Sequence, residues 1–209
     1  NFISLGLFFI YIFRKKRFAK NKNSFLYGWF FGFGYFLSNL YWITISLTFD
    51  ENFTFLIPFA LILIPLFLGI FYGLATYCFF IIDIKKPVSN LFLFSLLFGL
   101  TEFLRGNILT GFPWNLIAFS FSENLEILQI LSFIGTYGFN ILCISFFTSP
   151  AIFILRDNSK EIFVCIIFLL SPLILIPFGS FNIKSFQSSN MFNNDYVIRA
   201  IGSNVNLSG

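Results

Sequence analysis

Chemistry in this chain can start only from a few ionisable and turn-forming residues, and these gather between positions 101 and 114. The stretch reads Thr101-Glu-Phe-Leu-Arg-Gly-Asn-Ile-Leu-Thr-Gly-Phe-Pro-Trp114 and lies between two long apolar runs. Glu102 and Arg105 stand three residues apart, so a helix puts them on one face. Ionisable residues at the edge of a membrane span are costly and usually paired. Two readings stay open. The pair could simply anchor a helix end, or it could form the polar wall of a cavity for a lipid headgroup, because the planar guanidinium fork suits a phosphate. Gly106 and Asn107 can end the helix. Gly111, Phe112, Pro113 and Trp114 then read as a rigid loop with two aromatics at a membrane surface. That loop is either an interfacial anchor or a hydrophobic lip guiding acyl chains toward a site just above the membrane. Trp42, toward the far end of its own apolar run, could share the lip.

No constellation of residues forms a catalytic centre. The chain has no His, which removes Ser-His-Asp and Cys-His nucleophile pairs and the usual zinc sites. Cys78, Cys143 and Cys165 all fall inside apolar runs without Cys-x-x-Cys spacing, so neither a metal site nor a redox pair is indicated. No metal and no cofactor is expected. Asn52-Phe-Thr54 matches a glycosylation sequon, a match frequent by chance.

Composition sets the class. Hydrophobic residues make up 57% of the 209, charged residues 11%, and mean hydropathy is +0.86. A soluble domain is about 25% charged, so this chain lacks the polar surface to cover a water-facing globule and reads as an integral membrane protein. Thirty-six Phe against one Met points to a codon bias toward AT-rich triplets, under which a single Phe says little about function. The net charge of +4 is no sign of nucleic acid, because the positives cluster in one short loop.

The elements that must position the stretch follow from apolar length, about 20 residues per spanning helix. The expected fold is an all-α polytopic membrane helix bundle of about six spans, near 2–13, 25–49, 53–82, 88–104, 125–155 and 162–178. The first is too short to span and is expected to be the remainder of a truncated helix. Gly28-x-x-x-Gly32 with Gly34, and Gly69-x-x-x-Gly73, offer faces for close helix approach. Pro58 and Pro65 are expected to kink the third run. Residues 179–195 read as a polar linker. Residues 196–209 read as a first strand of a further domain that is cut off.

Lys and Arg counts orient the bundle. Residues 14–22 carry six, 83–87 two and 156–160 two, against Arg105, Lys184 and Arg199 elsewhere. The basic loop 14–22 is therefore expected in the cytoplasm, with the loop 106–124 and the C-terminus on the opposite side.

Thr101-Glu-Phe-Leu-Arg-Gly106 followed by Leu109-Thr-Gly-Phe-Pro-Trp114 closely resembles the signature loop of bacterial apolipoprotein N-acyltransferases. Gly32-Phe-Gly34 with Trp42-x-x-x-Ser46 is similar to that family's third membrane helix, and Gln129 with Gly135-x-Tyr137-Gly138 to its sixth. Arg199-Ala-Ile-Gly-Ser-Asn-Val205 is similar to the first strand of its nitrilase-like α/β domain. Thr44, Phe121 and Gly202 depart from residues common in the family.

The resemblance implies a transferase of the bacterial inner membrane, with the loop 106–124 and the C-terminus periplasmic. A Glu-Lys-Cys triad in the nitrilase-like domain takes an acyl chain from phospholipid as a Cys thioester. It then passes the chain to the α-amino group of the diacylglyceryl-modified cysteine of an apolipoprotein. The implied partners are the phospholipid donor, the apolipoprotein and the membrane. The triad is expected beyond residue 209, so these residues alone should be inactive. Trp42, Glu102, Arg105, Gly111, Phe112, Pro113 and Trp114 become candidates for the lipid path. The alternative is a piece of a polytopic transporter or channel, which would favour internal repeats and mid-membrane charges.

Overall fold

A computed structural model describes residues 1–18, 23–108 and 111–188. Apolar runs become helices because a chain in lipid must satisfy every backbone N–H and C=O internally. Helix α1 spans Phe2–Phe18, α2 Ser24–Asn39, α3 Ile57–Ile81 and α4 Pro87–Asn107. Short α5 (Leu125–Leu128) precedes α6 (Leu131–Thr148), short α7 (Ile152–Leu155) and α8 (Glu161–Ser188). Among the described residues there is no strand.

Four helical stretches are long and apolar enough to cross a membrane: Glu51–Ile81, Pro87–Asn107, Leu131–Leu155 and Glu161–Ser188. The two other expected spans are shorter. Helix α1 has 17 residues, running on past the expected end at 13 so that Arg14–Arg17 are helical and not part of a loop, and α2 has 16. The expected run 25–49 is not one α-helix, because Leu40 leaves helical geometry and the chain continues as tighter 3-10 turns over Tyr41–Thr48 and Glu51–Leu56. At 1.5 Å per residue α2 is about 24 Å long, which falls short of a typical hydrocarbon core of about 30 Å.

Three further expectations need correction. Pro58 does not sit in a helix interior; it lies in the first turn of α3, where its missing N–H is harmless, which leaves Pro65 as the one proline inside that helix. Residues 179–188 are not a linker but the last turns of α8. Ser, Asn and Gln are only mildly poor helix formers, and Gly179 is buried where a Cβ would run into the Glu126 carbonyl of α5. Residues 189–195, and the expected strand at 196–209, lie outside the described residues. The expected run 125–155 is interrupted, with Gly135 in a left-handed, non-helical conformation (φ 66°, ψ 174°) that an L side chain rarely adopts.

Lipid tails are as apolar as Leu, so helices associate through close packing and polar contacts instead of hydrophobic burial. The α2–α3 pair shows this. Gly32 and Gly69 face one another so closely that a Cβ on Gly32 would lie 3.0 Å from the Gly69 Cα, and one on Gly69 3.0 Å from the Trp29 carbonyl oxygen. The Trp29 indole N–H donates to the Leu66 carbonyl (2.9 Å) across the same seam. Behind it lies an aromatic core: Phe8 stacks on Phe31 with centroids 4.0 Å apart, and Phe94 meets Phe98 at 4.3 Å. Part of the Phe content is therefore used in packing, whatever put it there, while Phe30, Phe49 and Phe133 are among those left exposed.

The bundle has two distinct ends. At one, Arg17 pairs with Asp157 (3.2 Å) and Lys16 donates to Asn90 Oδ1 (2.8 Å), which joins the end of α1, the start of α4 and the α7–α8 turn. These are the Lys- and Arg-rich segments. At the other end stands the 101–114 stretch.

Candidate functional site

The last turn of α4 carries Glu102 and Arg105, each about 1% exposed. Arg105 Nε donates to Glu102 Oε2 at 3.1 Å, and Nη2 meets the same oxygen. The second carboxylate oxygen accepts the Tyr72 hydroxyl of α3 (2.5 Å). Arg105 Nη1 donates to the Phe112 carbonyl (2.6 Å), and the Phe112 N–H donates back to the Arg105 carbonyl (2.9 Å). The guanidinium carbon lies 5.0 Å from the Phe36 ring and 5.8 Å from the Phe112 ring, so aromatic faces on both α2 and the loop attract the cation. One ion pair thus ties α3, α4, α2 and the loop together.

The sequence around it makes this possible. The Ile108 N–H closes the last bond of α4 on Leu104 (2.8 Å), and the Gly111 N–H donates to the Ile108 carbonyl (3.0 Å). Gly111 has φ 73°, and a Cβ there would lie 2.6 Å from the Gly106 carbonyl oxygen. Only Gly fits that reversal. Asn115 is also left-handed (φ 59°), a conformation Asn tolerates better than most residues. Its carbonyl accepts from Tyr35 Oη (2.9 Å), and its side-chain amide donates to the Asn39 carbonyl (3.1 Å). The loop is therefore bolted at Phe112 and at Asn115. Between the bolts Pro113 and Trp114 are exposed.

Trp114 meets Trp42 edge to face, with centroids 5.8 Å apart at 67°. Both rings are exposed. The structure thus brings all seven candidate residues to one end of the bundle, in two layers. Glu102 and Arg105 are buried and bonded; Trp42 and Trp114 stand outside with Pro113, and Gly111 and Phe112 are half-buried between them. Leu109 and Thr110 lie outside the described residues.

Beside the ion pair is a cavity of about 360 Å³ lined by Leu63, Phe67 and Phe71 of α3 and by Arg105, Ile108, Gly111 and Phe112. Its side-chain walls are apolar, and the Arg105 guanidinium beside it is fully covered. Three of the five N–H groups of Arg105 are committed to Glu102 and Phe112. The arrangement can hold an acyl group, but it carries no nucleophile beside a base. Cys143 and Cys165 are buried and Cys78 is half-buried in the apolar helices. Among the described residues no cluster of acidic and Cys residues could hold a metal.

Tyr35, Tyr72, Phe36 and Asn115 complete the site and were not singled out in the sequence. One signal for the tyrosines was available. A carboxylate inside a membrane needs donors, and a Tyr within an apolar span beside a Gly-rich seam can supply one.

Comparison with known proteins bears on what this site serves. Residues 1–148 match the family described as the apolipoprotein N-acyltransferase N-terminal domain. The chain belongs to that family. Among its relatives, the apolipoprotein N-acyltransferase of Rhodopseudomonas palustris is 39% identical over 130 residues, 61% of this chain and 24% of that protein. The enzyme of Rhizobium etli is 37% identical over 138 residues (66% and 26%), and that of Rickettsia bellii 39% over 123 (58% and 24%). The chain spans about a quarter of the length of these apolipoprotein N-acyltransferases. The family and the apolar helices together make this a membrane protein, and they do not favour the transporter or channel alternative.

Proposed function

We propose that this chain is the membrane-embedded part of an apolipoprotein N-acyltransferase and that the 101–114 stretch shapes the path of the lipid donor. The cavity beside Arg105 carries the reading. It is bounded by the signature loop, and its volume falls in the range of about 300–1,000 Å³ typical of ligand pockets. Apolar walls suit an acyl chain. The exposed Trp42–Trp114 pair suits the headgroup level, where amphipathic rings settle.

In this reading the chemistry belongs to a nitrilase-like domain with a Glu-Lys-Cys triad. Its thiolate takes an acyl chain from phospholipid, and the thioester is then attacked by the α-amino group of a diacylglyceryl-cysteine. The three cysteines of the described helices sit in apolar surroundings, which suit packing better than a nucleophile. The Lys- and Arg-rich end faces the cytoplasm of the inner membrane, and the loop 106–124 and the C-terminus face the periplasm.

Trp114→Ala in the full-length enzyme tests the loop. Loss of the aromatic contact, about 0.5–1.5 kcal/mol, should raise KM for the phospholipid roughly two- to tenfold with kcat and thermal stability held. Activity that falls only in step with expression would mark the loop as a structural anchor and sink the lipid-path reading.

A further inference from the structure

The opposite end of the bundle holds another cavity, and it is cationic. About 190 Å³ in volume, it is lined by Lys16 and Arg17 at the end of α1 and by Asp83, Ile84 and Lys85 in the α3–α4 connection, with Phe13 at its apolar side. Arg17 is turned to Asp157. Lys16 and Lys85 make no ion pair among the described residues. The half-buried Lys16 instead donates to a neutral amide, Asn90 Oδ1 (2.8 Å), and lies 4.3 Å from the centre of the Phe79 ring. Its ammonium is therefore partly desolvated without a carboxylate in contact, and burial pulls its pKa down from 10.5 to about 8 against the weaker pull of Asp83. An anion in the cavity would complete that charge.

Depth identifies the kind of anion. Helix α1 turns from apolar to basic directly after Phe13, and just past the end of α3 the chain turns from apolar to polar directly after Ile82. Both transitions meet at this cavity, which places it at the edge of the hydrocarbon layer, where lipid phosphates lie. Basic pockets between spanning helices at this level bind anionic headgroups.

We propose that Lys16, Arg17 and Lys85 form a binding site for the phosphodiester headgroup of an anionic phospholipid. The site stands apart from the acyl-transfer path, at the far end of the bundle. Only its assignment to the cytoplasmic leaflet rests on the orientation proposed above. Asp83 opposes the ligand and limits affinity.

Native mass spectrometry of the full-length protein, titrated with phosphatidylglycerol, phosphatidylcholine or inorganic phosphate, reads the site. Phosphatidylglycerol should be retained in preference to phosphatidylcholine. Lys16→Gln and Lys85→Gln should each weaken it about fivefold, the effect of one basic residue near an anionic surface. Asp83→Asn, which removes no cation, should strengthen it, so the proposal stays exposed even if a Lys variant folds poorly. Equal retention of both lipids, or unchanged retention in all three variants, overturns the site. Competition by inorganic phosphate at equal concentration would overturn the lipid as its source and leave a soluble phosphate. An enzyme that keeps acyl transfer but shows no lipid preference refutes this site alone. Loss of the Trp114 effect with the preference intact refutes only the lipid path.

Discussion

Glu102 and Arg105 show what a buried charge demands. Each carboxylate oxygen has a donor, and the guanidinium has both a carboxylate and a carbonyl. Breaking such a pair leaves one charge stranded, which costs about 3–5 kcal/mol, whereas replacing both partners by apolar residues is often neutral. Glu102→Leu should therefore destabilise the protein strongly in a thermal melt in detergent, and Glu102→Leu with Arg105→Met should recover most of the loss. Tyr72→Phe, which removes one hydrogen bond to a charged group, should cost about 1.5–3 kcal/mol. A double variant as unstable as the single one would show that the charge itself is needed. The pairing of Glu102 with Arg105 was legible because residues three apart meet within one helix. Tyr72 was not legible as its partner, because it is thirty residues away and is brought there by α2–α3–α4 packing.

At the scale of elements, glycine positions decide what the helices can do. The small-residue seams at Gly28–Gly32 and Gly69–Gly73 could be read from spacing, and they do bring α2 against α3, whereas Gly34, expected on the same face, meets no neighbouring atom. Helix ends were harder. The departure at Leu40 and the break at Gly135 sit within long apolar runs, where one or two polar residues or a Gly are too few to end a span by hydropathy. The polar tail after Gly179 misled in the opposite direction, because Ser and Asn lower helix propensity by only tenths of a kcal/mol per residue, which packing overrides. The loop turn gives a sharp test. Gly111→Ala should cost at least about 1–2 kcal/mol for the left-handed backbone alone, and it adds the collision with the Gly106 carbonyl. Gly34→Ala, with open space around it, serves as the control and should be near neutral. Equal melting temperatures for the two would contradict the loop geometry.

For the whole molecule, the fold separates two environments. The basic segments counted in the sequence converge at one end through Arg17–Asp157 and Lys16–Asn90. The signature stretch, the Trp pair and the 360 Å³ cavity stand at the other. The class of the protein was legible from composition and its family from the 101–114 motif, since both survive without tertiary knowledge. The cavity was not, because α3 contributes its apolar walls from residues that look like any other Leu or Phe. The lipid path proposed for it can be tested by filling it. In the full-length enzyme, Leu63→Trp would place an indole against the cavity, whereas Ile62→Trp would place one on α3 away from its lining, at a position just over half exposed. Acyl transfer from phosphatidylethanolamine to a diacylated lipopeptide should slow at least about tenfold in Leu63→Trp, equivalent to 1.4 kcal/mol, and stay near the wild-type rate in Ile62→Trp, with both proteins equally stable. Equal rates for the two variants would contradict a lipid path through this cavity.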